Sequence, residues 1–170
     1  MIDADFKKME SRELLLDNPI AYLLSRENHV FCSEIGIPMA LNGITPVYDF
    51  YLLKPDEYKL IHYNECDYIV IADRGNDTYF AARKNEDMVY FFNIEDDIDR
   101  IWEVNSNIEK FIRTLILVEN LLLIERDYTI EDFKIDFSRL DPDIYYKPLI
   151  GYWSEYIANE DGSCYGSIDI

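Results

Sequence analysis

Apolar side chains recur along this chain with two different periods. Ile108, Phe111, Ile112 and Leu115 fall three or four residues apart, which places them on one stripe of a helix and leaves Glu109, Lys110 and Arg113 facing water. Ser106 followed by Glu109 has the form of a capping box. In it the hydroxyl accepts from a first-turn N–H and the carboxylate accepts from the cap's own N–H, so the spacing predicts a helix beginning at that serine. Thr129 with Asp132 repeats the pattern ahead of Ile130, Phe133, Phe137 and Leu140, and a last helix carries Ile150, Trp153 and Ile157 on one face and stops near Gly162. Toward the start, Asn18 before Pro19 caps a short helix bearing Ile20, Leu23 and Leu24. A second turn or helix after His29 ends at Gly36, and Pro38 prevents its resumption.

Between these helices the period shortens to two. Val47–Leu52, Tyr58–Tyr63, Tyr68–Ile71, Tyr79–Ala82, Met88–Phe92 and Asp99–Val104 are rich in β-branched and aromatic residues and read as strands. Arg74-Gly75-Asn76-Asp77 and Lys84-Asn85-Glu86-Asp87 punctuate them as turns. Such connections are far shorter than the dozen or so residues a parallel crossover needs, so the sheet is mainly antiparallel. Helices precede and follow the strands, which defines an α+β protein: an antiparallel sheet of about six strands with N-terminal and C-terminal helices packed around it. Residues 1–170 show no internal repeat or linker and are expected to form one domain.

Composition changes this picture chiefly through charge. The chain has 170 residues, is 49% hydrophobic and 15% aromatic, and carries 16 basic against 34 acidic residues, a net charge of −18. A chain of this length buries roughly 70% of the surface its unfolded form exposes, enough for a proper core. Residues 1–85 hold 9 basic and 14 acidic side chains, net −5, and residues 86–170 hold 7 and 20, net −13. A field of this sign repels nucleic acid and anionic membrane and favours a basic partner or simple solubility. No apolar run is long enough to cross a bilayer, and the acidic opening at Asp3 and Asp5 is unlike a signal peptide, so a cytoplasmic location is expected. Cys32, Cys66 and Cys164 share no metal-type spacing and are expected to be reduced thiols.

Candidate chemistry is sparse. Neither a P-loop nor a dinucleotide motif is present, and no cofactor or metal is expected. His62 and Cys66 stand four apart and offer a thiol dyad to a small hydrolase, although such an enzyme also needs an activated thiolate and an oxyanion hole; His29 and Cys32 would meet three apart on a helix, where the cysteine reads as a small buried apolar residue. Glu95, Asp96, Asp97 and Asp99 cluster four carboxylates, but without the ligand spacing or turn glycine of a calcium loop, and read as a solvated turn. No catalytic residue is therefore assigned. The fourteen tyrosines are more informative, because tyrosine supplies rigid contact area with a polar tip. Tyr48, Tyr51, Tyr58, Tyr63, Tyr68, Tyr79 and Tyr90 fall in the strands and could present an aromatic face beside the acidic loops.

Several short motifs resemble the SUKH superfamily of bacterial immunity proteins, and its fourth subfamily most of all. They are the strand through Trp102 with the Val104-Asn105-Ser106 cap and the helix beginning Ile108-Glu109-Lys110, the corner Glu34-Ile35-Gly36-Ile37-Pro38, and Leu140-Asp141-Pro142 followed by Trp153. The resemblance runs from about Ser33 to Gly162. It implies a protein without enzymatic activity that binds and neutralises a cognate toxin, commonly a nuclease or nucleic-acid deaminase. A regulatory or scaffold module of the same fold, as in fungal cell-wall signalling, is the alternative. The family motifs are structural, so the partner surface is assigned from charge and composition: Glu86, Asp87, Glu95, Asp96, Asp97 and Asp99, with Tyr90 as aromatic anchor.

Overall fold

A computed structural model describes residues 12–13, 18–38, 50–94, 101–122, 127–145 and 152–153. Six strands form the central sheet: β3 (Tyr51–Leu52), β4 (Lys59–Tyr63), β5 (Cys66–Gly75), β6 (Thr78–Arg83), β7 (Val89–Asn93) and β8 (Ile101–Asn105). Every ladder is antiparallel, and the order is β3-β5-β6-β7-β8 with β4 sharing the β3 side of the long strand β5. The expected α+β class and sheet are therefore present. A separate two-stranded ladder of β1 (Arg12–Glu13) and β2 (Ile37–Pro38) has no counterpart in the sequence reading, since two residues per strand carry no periodicity.

Turn chemistry fixes the hairpins. Asn64-Glu65 and Asn76-Asp77 occupy the two-residue loops of β4–β5 and β5–β6 with all four residues at positive φ, the geometry that matches strand twist. A bulge leaves Ile71 between the pairs Val70–Ala81 and Ala72–Phe80, and Ile69, Ile71 and Ala72 all enter the same core.

Helices enclose one face of the sheet. Pro19–Leu23 is a single 3₁₀ turn capped by the Asn18 side chain. Ser25 caps α1 (Arg26–Val30), which widens into a π turn over Phe31–Ile35 and ends at Gly36, whose φ of 79° is open to glycine alone without strain. Then come α2 (Ile108–Leu122), α3 (Ile130–Leu140) and the short α4 (Pro142–Tyr145). Ile108, Phe111, Ile112 and Leu115 are all buried, as the stripe requires, and Phe111 packs on Phe80 with ring centres 5.3 Å apart. Each such side chain contributes about 1.5–3 kcal/mol on leaving water. Among the described residues no helix is long and apolar enough to cross a membrane. Trp153 is helical and buried, whereas Ile150 and Ile157 lie outside the described residues.

The start of α2 corrects the capping box. Asn107 is the cap, its side chain accepting from the Lys110 N–H at 2.8 Å. The N–H of Ser106, which a capping-box glutamate would accept from, donates instead to Asp141 Oδ2 at 2.8 Å. Glu109 turns to Arg113, 2.9 Å away, and the Ser106 hydroxyl accepts from Lys110 Nζ at 2.7 Å. Lys110 consequently folds toward the protein rather than water, reaching the fully buried Asp141 at 3.4 Å. At Thr129 the box forms as expected, the hydroxyl accepting from the Asp132 N–H and the carboxylate accepting from the Thr129 N–H.

Candidate functional site

The strand-and-cap motif and the closing motif of Asp141 and Trp153 meet in one buried hydrogen-bond network. Asn105 donates to Asp141 Oδ2 and to Thr114 Oγ1, each at 3.0 Å, and accepts from Trp153 Nε1 at 2.9 Å. The carboxylate of Asp141 thus gathers donors from Asn105, Ser106 and Lys110. Such a network fixes how β8, α2, α4 and the C-terminal helical residues sit together; its centre, Asn105, Thr114, Asp141 and Trp153, is buried, which gives it a structural role.

Among the described residues an open surface lies at the start of α2. A cleft of about 780 Å³ runs between α1 with its π turn, the β6–β7 turn and the first turn of α2. Its carboxylates are Glu27, Glu86, Asp87 and Glu109, with Arg26 as the lining cation and Val30, Phe31 and Ile35 as apolar lining. Sequence distance is spanned by one side chain. Asn28 is buried, donates to the Asp87 carbonyl at 2.9 Å and accepts from the Ile108 N–H at 2.8 Å, joining all three walls. Asn107 donates to Glu27 at 2.6 Å, and the Asn85 N–H donates to the Leu23 carbonyl at 3.0 Å. Glu86 pairs with Arg83 at 3.2 Å and Glu109 with Arg113 at 2.9 Å. Glu27 and Asp87 have no ion-pair partner among the described residues, so their charge stands toward solvent.

Of the residues assigned to the partner surface, Glu86 and Asp87 are thus brought together in the cleft. Tyr90 is half-buried and adjoins it, its hydroxyl donating to Glu86 at 3.3 Å; burial first, then the Glu86 carboxylate, pushes this phenol up to about 12 and keeps it neutral. Glu95, Asp96, Asp97 and Asp99 lie outside the described residues. Glu27 and Glu109 were not anticipated. Glu109 was read as half of a capping box, and no local signal marks Glu27, which joins the cleft only because Asn28 ties α1 to the β6–β7 turn.

The tyrosines divide. Tyr63, Tyr68, Tyr79 and Tyr90 gather on the sheet face opposite the helices around Phe92, with Tyr63 stacked on it at 5.0 Å and Tyr68 tilted against it at 4.9 Å. Among the described residues this cluster is built from the sheet strands and the adjoining Leu53. Lys59 Nζ sits 4.5 Å from the Tyr79 ring. Tyr51 is 71% exposed at the sheet edge, whereas Tyr58 is buried in the helix-side core beside Cys32, and Tyr48 is outside the described residues. Burial pushes the Cys32 thiol up to about 12 against the opposing pull of the Tyr58 hydroxyl, which makes it an inert core residue.

The thiol dyad does not assemble. His62 pairs across the hairpin with Asp67 and Cys66 with Tyr63, so strand alternation puts the imidazole and the thiol on opposite faces. His62 Nδ1 lies 3.0 Å from Asp67 Oδ1, and Cys66 instead contacts the Arg83 guanidinium. Comparison with family models, curated proteins and solved structures returns no match to this chain.

Proposed function

We propose that this chain is a bacterial immunity protein of the SUKH type, acting in the cytoplasm without catalysis by binding, through its own acidic, tyrosine-rich surface, a toxin that presents a basic one. The observation that carries the proposal is the cleft in which Glu86 and Asp87 are joined by Glu27 and Glu109. A nuclease or nucleic-acid deaminase must hold phosphate with cations, and carboxylates placed on a stable fold are the groups that occupy such cations. Charge complementarity also raises association to about 10⁸ M⁻¹s⁻¹ at low salt, which suits an inhibitor that must act before its target does. Support for the family comes from Asn105 of the cap motif, which hydrogen-bonds both Asp141 and Trp153 of the closing motif.

The test is survival together with capture. A toxin identified by co-purification with the tagged protein from its native cells should arrest growth when expressed alone and not when the wild-type protein is co-expressed, and the two should purify as a stoichiometric complex. Growth arrest despite soluble, folded protein, with no complex formed, refutes the proposal.

A further inference from the structure

Charge is only part of the cleft's chemistry. Val30 is 40% exposed at the end of α1, and Phe31 and Ile35 continue the apolar surface beneath the rim. Glu27, Asp87 and Glu109 stand around that floor. A polycation would satisfy the rim and leave the floor wet, while an apolar ligand would bury carboxylates without partners, a costly outcome. The cleft is also open, so it cannot cover most of the surface of a small molecule as a ligand pocket does. A protein segment brings its own cover.

We propose that this cleft docks one amphipathic basic segment of a partner protein, an aliphatic side chain resting on Val30 and Ile35 between arginines that pair with Glu27 and Asp87. This rests on the reading of the chain as a capture protein and adds which surface grips and what it grips. Arginine fits better than lysine, because its planar fork meets a carboxylate through two hydrogen bonds and its weaker hydration lowers the loss on leaving water. The walls are held before the partner arrives, by Asn28 to the β6–β7 turn and to α2 and by Asn107 to Glu27. Little ordering is then required on binding.

The probe is a short synthetic peptide with one leucine between two arginines, titrated into the full-length ¹⁵N-labelled protein, beside two controls in which the leucine is serine or the arginines are glutamates. Amide shifts should concentrate at residues 26–35, 85–87 and 109. Affinity should fall about tenfold or more for each control peptide and for the Glu27→Lys and Asp87→Lys variants, the loss of one close charge pair or apolar anchor. Asp87 is exposed on a turn, so its variant tests the rim without disturbing a helix. Equal binding of the leucine-free peptide, shifts dispersed over the acidic surface, or shifts from self-association overturn the proposal. Full protection of toxin-expressing cells by both variants overturns the docking site while leaving capture intact; failure of the wild-type protein to protect overturns capture itself.

Discussion

Asp141 shows how much can depend on a residue that no charge count would single out. Fully buried, it accepts from Asn105, the Ser106 N–H and Lys110, so Asp141→Ala takes an acceptor from the buried Asn105 amide and from the part-buried Ser106 N–H and Lys110 ammonium, at about 1–3 kcal/mol for each donor left unsatisfied. Urea unfolding should register a loss of roughly 2–5 kcal/mol; a loss under 1 kcal/mol would mean that the network is replaced by water. Asn107 and Ser106 separate two ways of starting α2. Asn107→Ala removes the cap and should cost about 1 kcal/mol or more, whereas Ser106→Ala, which loses only the contact with Lys110, should stay within about 0.5 kcal/mol. A cap at an asparagine and one at the preceding serine look alike in sequence. Only the tertiary position of Asp141, which takes the Ser106 N–H, decides between them. Cys32 was legible: three residues from His29 it reads as a small buried apolar residue rather than half of a pair, and the fold buries it fully, so it should label with a maleimide only after unfolding, well after Cys66.

Elements were more legible than residues, for a physical reason. Periodicity and turn chemistry are local, and the strands from β4 to β7, the stripe of α2 and the capped α3 all follow from neighbours within a few positions. The β1–β2 ladder and the Asn28 bridge depend on contacts across long stretches of chain and leave no such trace. Asn28→Ala should detach the β6–β7 turn from α1 and α2, raising hydrogen exchange at residues 84–88 and at the first turn of α2 ahead of the rest of the sheet; uniform exchange would show that the turn is held by other means. Local capping also sets a pH dependence. The Thr129 hydroxyl, then the Thr129 N–H, holds the Asp132 carboxyl below its ordinary 3.8, and His62, then Lys84, does the same for Asp67. A carboxyl depressed by folding stabilises the folded state fully above its unfolded value, and the contribution disappears as pH falls through the folded one. Both contributions are therefore complete above about pH 5 and decline below pH 4. Asp132→Asn should flatten that decline in an acid titration of stability, and an unchanged curve would remove the α3 cap as a cause.

At the scale of the molecule, a charge of −18 is a field before it is a contact. The sequence displays the field plainly and concentrates it in the second half, but it cannot display convergence. The cleft draws Glu27 from the first half and Glu86, Asp87 and Glu109 from the second, and only the packing of α1 against the β6–β7 turn and α2 makes them one surface. Long-range attraction acts on encounter, whereas short-range packing on the apolar floor acts on dissociation. The two should separate in stopped-flow measurements with the cognate toxin. The wild-type association rate should fall steeply as salt rises, and reversing Glu86 and Asp87 to lysine together should lower it about tenfold at low salt and flatten its salt dependence. Replacing Val30 with serine should leave association nearly unchanged and speed dissociation. Reversing Glu95, Asp96, Asp97 and Asp99 is the informative control. If that change slows association while the Glu86 and Asp87 reversal does not, encounter is steered by those four carboxylates, and the cleft has no part in it.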